Sequence, residues 1–321
     1  MRAAAINRFG PPSVLSLHEL PTPQPSPAEV VIAVEWAGVG SWDASIRDGS
    51  WAEGRTKFPL VPGLDGAGIV VACGARVRRL KIGDRVYAYE FGNSKGRFYA
   101  QYAAVHGNHA DRVPKPLEMR DAAAMVTTAL TAMQGIDRAR LRKGTSILIF
   151  GASGAVGTMA VQFAKRHGAT VIATASGRPA ARVVLGLGAD YVIDARRRTA
   201  RDDVIRAAPN GLNAILALAG GRGLDQFLDL VRDKGRVVYP NGVEPEPKAK
   251  RGQKVESYDA VADPIQFRRL RRFIEGGKVR VPIAGTYPLS QAARAHRRLE
   301  RGQVVGRIVL SIPIPRDRRD G

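Results

Sequence analysis

The sequence predicts a two-part α/β chain: a β-rich part built from both ends of the polypeptide, and a doubly wound parallel sheet between them. Three observations predict it. Residues 1–115 alternate short apolar runs with Gly and Pro, the pattern of short strands joined by tight turns. From Lys115 and Pro116 onward, apolar strands are separated by helix-length segments, the pattern of a parallel sheet with crossover helices. The last apolar run, VGRIVLSI at 305–312, is read as a strand that returns to the first part. The expected division is therefore 1–116 plus 282–321 for the β-rich part and 117–281 for the parallel-sheet part.

In the β-rich part the expected strands are VVIAVEWAGV (30–39), AGIVVACG (67–74), DRVYAY (84–89) and YAQYAAV (99–105). The second part opens with a helix over 121–136, then a strand SILIF (146–150), a Gly-rich turn and a helix running to about His167. A strand TVIATA (170–175), a helix over Pro179 to Leu187, and strands YVID (191–194), AILALA (214–219) and RVVYP (236–240) continue the alternation. The stretch 241–259 is polar and carries prolines, so it reads as a loop. A helix over 264–276 leads to the closing strand, and the tail PIPRDRRDG reads as frayed.

A length of 321 residues suggests two domains at roughly 150 residues each. No run approaches the roughly 18 apolar residues of a membrane span, and the first residues break too soon for a signal peptide, so a soluble, cytoplasmic protein is expected. The single Cys73 cannot form an internal disulfide and supplies no thiolate cluster for a structural zinc; the five histidines show no metal spacing. Lys and Arg number 50 against 29 Asp and Glu, a net charge of +21. These basic residues fall on turns and solvent faces without interleaved aromatics, which argues for a solvated basic surface and against a specific nucleic-acid partner.

The most specific local feature is the strand SILIF followed by Gly151, Ala152, Ser153, Gly154, Ala155, Val156 and Gly157, and then a helix. A dinucleotide site needs a tight turn, a bare position where backbone meets pyrophosphate, and close packing of helix on strand; Gly154 and Gly157 meet the last two needs. Ala152 holds the place of the first glycine. Phosphate charge would be met by N–H groups at the helix N-terminus. The next strand ends Ala173-Thr174-Ala175-Ser176-Gly177-Arg178, with Arg182 one turn on. No carboxylate stands there to repel a 2′-phosphate, and two guanidiniums stand ready to bind one, so NADPH is the expected cofactor.

With these motifs stand MRAAAINRFGPPSVLSLHELPTPQPSPAEVVIAV, VPGLDGAGIVVACGARVRRLKIGDRVYAY and PLSQAARAHRRLERGQVVGRIVLSI. In that ordered set the chain resembles the medium-chain dehydrogenase/reductase superfamily, in its zinc-free quinone oxidoreductase branch. The resemblance implies a GroES-like β-rich catalytic domain, an inserted Rossmann domain, a cleft between them, and homodimers or homotetramers. Zinc-bearing alcohol dehydrogenases of that superfamily carry a cysteine after the first β segment and a His-Glu pair after a glycine in the second. Here those places read Gly40-Ser41-Trp42-Asp43 and Gly63-Leu64-Asp65, so that ligand set cannot form and no metal is expected. Without a Lewis acid, acceptors that are already electrophilic suit the site: quinones and activated alkenes. The chain departs from the branch in having Gly40 where an asparagine is common, Ser45 where a tyrosine often stands, and Ala180 where many have a lysine.

Family position places Thr127 and Thr128 beside the nicotinamide and ribose, a reading open to both hydroxyls simply bonding backbone. Gly220, Asn241 and Gly242 follow strand ends, where ligands bind in open α/β sheets. Trp42, Trp51, Tyr89 and Phe91 are the candidate walls for a flat acceptor. Asp43 and Ser45 are the candidates for relaying a proton, a task solvent also performs; Asp65 reads as structural. The residues leave open an enal, enone or enoyl-thioester acceptor, and also an NADPH-binding, redox-sensing module with little turnover.

Overall fold

In the computed structural model, residues 1–51, 56–248, 250 and 252–313 are described. They fall into two compact units: one comprises the described residues of Met1–Thr127, Ala262–Lys278 and Ile283–Gly321, the other Thr128–Val261 and Val279–Pro282. Most of the segment read as a frayed tail lies outside the described residues.

In chain order the first unit opens with β1 (Arg2–Ala5) and β2 (Ser16–Glu19), an antiparallel pair. Next come β3 (Glu29–Val39), α1 (Ser41–Asp48), β4 (Asp65–Cys73), β5 (Arg85–Tyr89), β6 (Tyr102–His106) and β7 (Ala110–Arg112). The helix α2 (Met119–Ala139) follows. The second unit holds β8 (Ser146–Phe150), α3 (Ala155–Arg166), β9 (Thr170–Thr174), α4 (Arg178–Gly186), β10 (Tyr191–Ile193), α5 (Ala200–Ala207), β11 (Leu212–Ala217), α6 (Arg222–Leu228), β12 (Val231–Pro240) and β13 (Lys254–Tyr258). The chain then supplies the first unit with α7 (Pro264–Glu275), β14 (Ile283–Pro288), α8 (Ala292–Glu300) and β15 (Arg307–Ser311).

The main sheet of the first unit has the order β14-β15-β3-β4-β5-β7, with β6 also pairing β3. The closing strand β15 pairs antiparallel with β3, so the last apolar run does return to the N-terminal sheet. The core gathers Ile32, Val34, Val70, Val86, Phe98 and Leu310. One helix breaks the expected all-β pattern. The stretch SWDASIRD winds as α1 because the Asp43 carboxylate accepts the Gly40 N–H at 2.8 Å, capping the first turn, and Gly49 ends the helix with φ of 90°. The helix α7, which lies within the span assigned from sequence to the parallel-sheet part, packs in this unit: Phe267 meets Tyr87 edge-on at 5.3 Å.

A buried polar chain crosses this unit. His296 of α8, 0% exposed, has Nδ1 3.2 Å from the Arg47 guanidinium and Nε2 3.1 Å from the Tyr99 hydroxyl. Arg47 has only protons to offer, so Nδ1 accepts, and Nε2–H donates to Tyr99. Arg47 also donates to the Gly10 carbonyl at 2.8 Å and pairs with Glu300 at 2.7 Å. Burial, and then the Arg47 charge, push the His296 pKa down to about 3.

The second unit is a six-stranded parallel sheet, β10-β9-β8-β11-β12-β13. Its central strands are mostly apolar, with Ile147, Leu148 and Ile149 wholly buried, as a sheet covered on both faces requires. Strand order reverses between β8 and β11, which opens a crevice at their C-terminal ends. The segment read as a loop at 241–259 contains an edge strand. β13 adds to β12 in register from Arg236↔Lys254 to Pro240↔Tyr258. The Tyr258 hydroxyl donates to the Thr131 carbonyl at 2.8 Å, and Arg138 lies 4.8 Å above the ring. An edge strand has one neighbour and tolerates charge, so KVESY gave no apolar signal.

Because the native state keeps His296 neutral and the unfolded state does not, the unfolded chain binds the extra proton between about pH 6.5 and about 3. The His296 contribution is complete above that window and lost as pH falls through it. Urea unfolding of the wild type and His296→Gln should show a stability difference that shrinks on acidification by up to about 1.4 kcal/mol per pH unit. A pH-independent difference overturns this reading.

Candidate functional site

In the parallel-sheet unit the turn after β8 is built by contacts that only small residues allow. Gly151 takes φ of 86°, its N–H donates to the Thr174 hydroxyl at 2.8 Å, and the Ala152 N–H donates to the Thr174 carbonyl at 3.1 Å. The end of β9 thus fixes the turn. A Cβ on Gly157 would lie 2.5 Å from the Ala152 Cα and closer still to the Gly151 carbonyl oxygen, so α3 can approach β8 only with glycine there. Gly154 differs: its φ is −72°, and a Cβ would meet only the Gly151 oxygen, at 3.4 Å. Ser153, Gly154, Ala155 and Val156 are half-buried at the start of α3, whose first N–H groups have no partner within the helix. Together with the dipole of a 12-residue helix they form a seat for phosphate.

Beyond β9, Ser176, Gly177 and Arg178 are exposed, and Arg178 and Arg182 lie four residues apart on one face of α4. Neither forms an ion pair among the described residues. A residue that sequence reading passed over lies beside them. Asp194, at the end of β10, holds Arg196 through bonds of 2.9 and 2.6 Å, and also accepts the Gly177 N–H; the Arg196 pairing holds its carboxyl down at about 2. It ties the β9 turn to the β10 turn. The sequence signal was an Asp closing a strand directly before a run of arginines.

At the other strand ends, Gly220 is half-buried in the turn after β11, and Gly242 is exposed with φ of 88°. Asn241 donates from its side-chain nitrogen to Asp259 at 2.7 Å and from its backbone N–H to the Tyr258 carbonyl at 2.9 Å, so both nitrogens are engaged and its oxygens are what it can offer. Thr128 and Thr127 are both buried in α2.

In the β-rich unit, Asp43 and Asp65 are 0% exposed. Asp43 spends its oxygens on the Gly40 N–H and, at 3.1 Å, the Gly63 N–H. Burial, with the nearby Asp65 charge, pushes its pKa up to about 7, against the pull of Arg307. This geometry gives Asp43 the task of pinning two turns. Asp65 is raised by burial and held by Arg307 at 2.7 Å and by hydrogen bonds from Thr127. The Arg307 guanidinium in turn lies 4.7 Å over the Trp42 ring. Trp42 also explains Gly40: a Cβ there would lie 2.6 Å from the Trp42 Cζ2 and closer still to its Cε2, so the indole fills the space of a side chain. Ser45 is half-buried; its carbonyl accepts the Gly49 and Trp51 N–H groups at 3.1 and 3.2 Å.

Of the four aromatics, Trp51 and Phe91 are brought together, edge-on at 6.1 Å and largely exposed, while Trp42 stacks on Arg307 instead. Tyr89 ends β5 opposite Asp65. Sequence reading also missed Arg97, whose Nε and Nη1 are buried without an acceptor among the described residues and feel the charges of Asp43, Glu90 and Tyr89.

Sequence comparison agrees with this architecture. Residues 26–115 match the alcohol dehydrogenase GroES-like domain and residues 187–310 match a family described as zinc-binding dehydrogenase. Quinone oxidoreductase from Rattus norvegicus is 31% identical over 309 residues, 92% of this chain and 93% of that one. An NADPH-dependent alkenal/one oxidoreductase from Arabidopsis thaliana, chloroplastic, is 29% identical over 98% of this chain and 80% of its own. Among solved structures, the quinone oxidoreductase from Coxiella burnetii superposes with a TM-score of 0.85 at 29% identity, covering 98% of this chain and 99% of that one. The class so defined is the medium-chain dehydrogenase/reductase superfamily. Within it, the chain belongs to the quinone oxidoreductase family.

The zinc named by one matching family does not fit these residues. Gly40 and the buried Leu64 stand where ligands would, and among the described residues no three His, Cys, Asp or Glu side chains gather to hold a metal.

Gly154→Ala should melt within a few degrees of the wild type, while Gly157→Ala should lose roughly 2–4 kcal/mol, because its methyl must displace backbone. Thermal and urea unfolding of both variants check this, and equal stability of the two would overturn the packing argument.

Proposed function

We propose that the protein is a zinc-independent reductase that binds NADPH and passes hydride to a small quinone or an activated alkene. The observation that carries it is the glycine-built seat at the start of α3, at the strand-order reversal of a parallel sheet, followed at the end of β9 by two arginines that form no ion pair among the described residues, while the carboxylate beside them, Asp194, is engaged by Arg196 and the Gly177 N–H. The relatives are named for quinones and, in one case, for NADPH and alkenals or alkenones, in accord with that seat.

The residues divide the work as follows. Ala155, Val156 and Gly157 take the pyrophosphate on backbone N–H groups; Gly154, whose own N–H is bonded to the Gly151 carbonyl at 3.1 Å, gives a bare surface for close approach, and Ala152 and Ser153 shape it. Arg178 and Arg182, with Ser176, hold the 2′-phosphate through charge-assisted bonds, on a turn braced by Asp194. Thr127, Thr128, Gly220, Asn241 and Gly242 border the nicotinamide half. When bound, the cofactor supplies the hydride chemistry. Trp51 and Phe91 offer aromatic faces to a flat acceptor, and Trp42 and Tyr89 are the further candidate walls. Arg97 supplies the polar contact to the acceptor oxygen that Gly40 cannot, and Ser45 or solvent completes the protonation. The GroES-like domain is taken as 1–116 plus 282–321 and the Rossmann domain as 117–281, of which α7 packs in the β-rich unit. We place the protein in the cytoplasm as a homodimer or homotetramer; among the described residues no helix is long and apolar enough to cross a membrane.

Steady-state oxidation of NADPH with phenanthrenequinone and with short enones tests the reading. Turnover of the quinone is expected, and a faster enone rate would move the assignment to alkene reduction. Retained NADPH binding without turnover of either would make the chain a binding module and sink the enzymatic reading.

Two variants test the residues. Arg178→Ala should weaken NADPH at least about tenfold and leave NADH within about twofold, since only the former carries the phosphate. Equal losses would show that Arg178 does not touch it. Arg97→Met should lower kcat/KM for the quinone by roughly 10- to 100-fold with unchanged NADPH affinity; a variant with wild-type kcat/KM removes Arg97 from the site.

A further inference from the structure

Outside the residues assigned above, the β-rich unit holds a cavity of about 320 Å³ lined by Arg79, Asp111, Arg112, Pro264, Arg268 and Arg271. The sequence builds it from two elements. On α7 the positions 264, 268 and 271 recur at helical spacing and form one stripe, beside the apolar stripe of Phe267, Leu270 and Ile274 that anchors the helix. Across from it, β7 contributes Asp111 and Arg112, and Arg79 comes from the turn before β5.

Charge in this cavity is unbalanced. Asp111, 3% exposed, lies on the floor, with one oxygen 2.9 Å from Arg79 and the other held by Arg271. Arg79 is further fixed by the Gly107 and Ala110 carbonyls, at 3.3 and 3.4 Å. Arg112 pairs with Asp84 at 3.0 Å and donates to the Arg79 carbonyl at 2.8 Å. Arg268 has no partner among the described residues. The lining carries four guanidiniums and one carboxylate, Asp111; even with Asp84 paired to Arg112 and Glu275 acting on Tyr87 counted in, one positive charge is left over.

Hydrogen-bonding capacity is unbalanced as well. The Arg271 Nε is buried without an acceptor among the described residues, and so is the hydroxyl of Tyr87, the cross-strand neighbour of Asp111. Buried donors are seldom left unpaired, because each forfeits a bond to water. Here spare donors and spare positive charge coincide beside one concave space, in which the guanidiniums of Arg79, Arg112 and Arg271 are already oriented by carbonyls and carboxylates. Preoriented guanidiniums suit a tetrahedral dianion, whose oxygens accept paired bonds from planar donors. An acyl chain or a quinone ring would find little apolar wall here.

The geometry points to this cavity as a second, non-catalytic site for a small doubly charged phosphate, bound by Arg268 and Arg112 at the rim and Arg271 at the floor. Its arginine-rich lining suits a phosphate group or a short phosphate monoester, and it shares no residue with the seat on α3, from which it is distinct. The assignment stands whether or not the chain turns over quinones.

Calorimetric titration of the full chain at fixed ionic strength tests it, with inorganic phosphate in one arm and glycerol 3-phosphate in the other. Saturable binding at one site per chain is expected in both, and the tighter arm identifies the source as the free ion or an ester. Arg268→Glu should weaken binding at least about tenfold. Arg301→Glu, the same charge change on an exposed residue of the same unit, and Arg178→Ala should each leave it within about twofold. Arg268→Gln, which removes the charge without adding an acid, should also bind weakly, and circular dichroism confirms that each variant is folded. Absence of saturable binding to the wild type overturns the site. Equal weakening by Arg268→Glu and Arg301→Glu reveals a diffuse field and overturns it too. Loss in Arg178→Ala but not in Arg268→Glu places the anion on the parallel-sheet unit and does the same.

Discussion

The architecture of the nucleotide seat depends on one steric constraint, the approach of α3 to the turn after β8 at Gly157. Because no side chain intervenes there, the helix axis comes close enough for its first N–H groups to point into the crevice where strand order reverses. Thr174 holds the same turn from the other side through both its hydroxyl and its carbonyl. Positive potential at that point is therefore supplied by backbone and needs no basic side chain. Charged side chains enter only farther out, at Arg178 and Arg182 on α4.

The β-rich unit relies on a different device. Two carboxylates, Asp43 and Asp65, and one guanidinium, Arg307, are wholly or almost wholly buried beside an indole. Such a cluster is costly unless each charge finds bonds. Asp43 finds backbone N–H groups on two separate turns, and Asp65 finds Arg307 and Thr127. Asp65 is thus part of a salt-linked scaffold with Arg307.

Much of this was legible in the sequence, for physical reasons. Interior strands such as SILIF and TVIATA advertise themselves because both faces are covered, and the glycine turn because only glycine meets its geometry. What escaped depends on distant partners or weak local signals. β13 is an edge strand and polar, and α1 is a short helix capped by a residue read as a proton relay. The His296–Arg47 contact joins residues 249 apart. Arg97 and Asp194 look like ordinary surface charges until the fold places one beside Tyr89 and the other beneath Gly177. No pattern in α7 told that its arginines would face those of β7 across a hollow.

The indole of Trp42 lies where any side chain at position 40 would project, so the two sites are not free to vary separately. A larger residue at position 40 calls for a smaller one at 42, and that second change would strip Arg307 of its aromatic cover. One small glycine thus ties a loop, an indole and a buried guanidinium into a single unit that changes together or not at all.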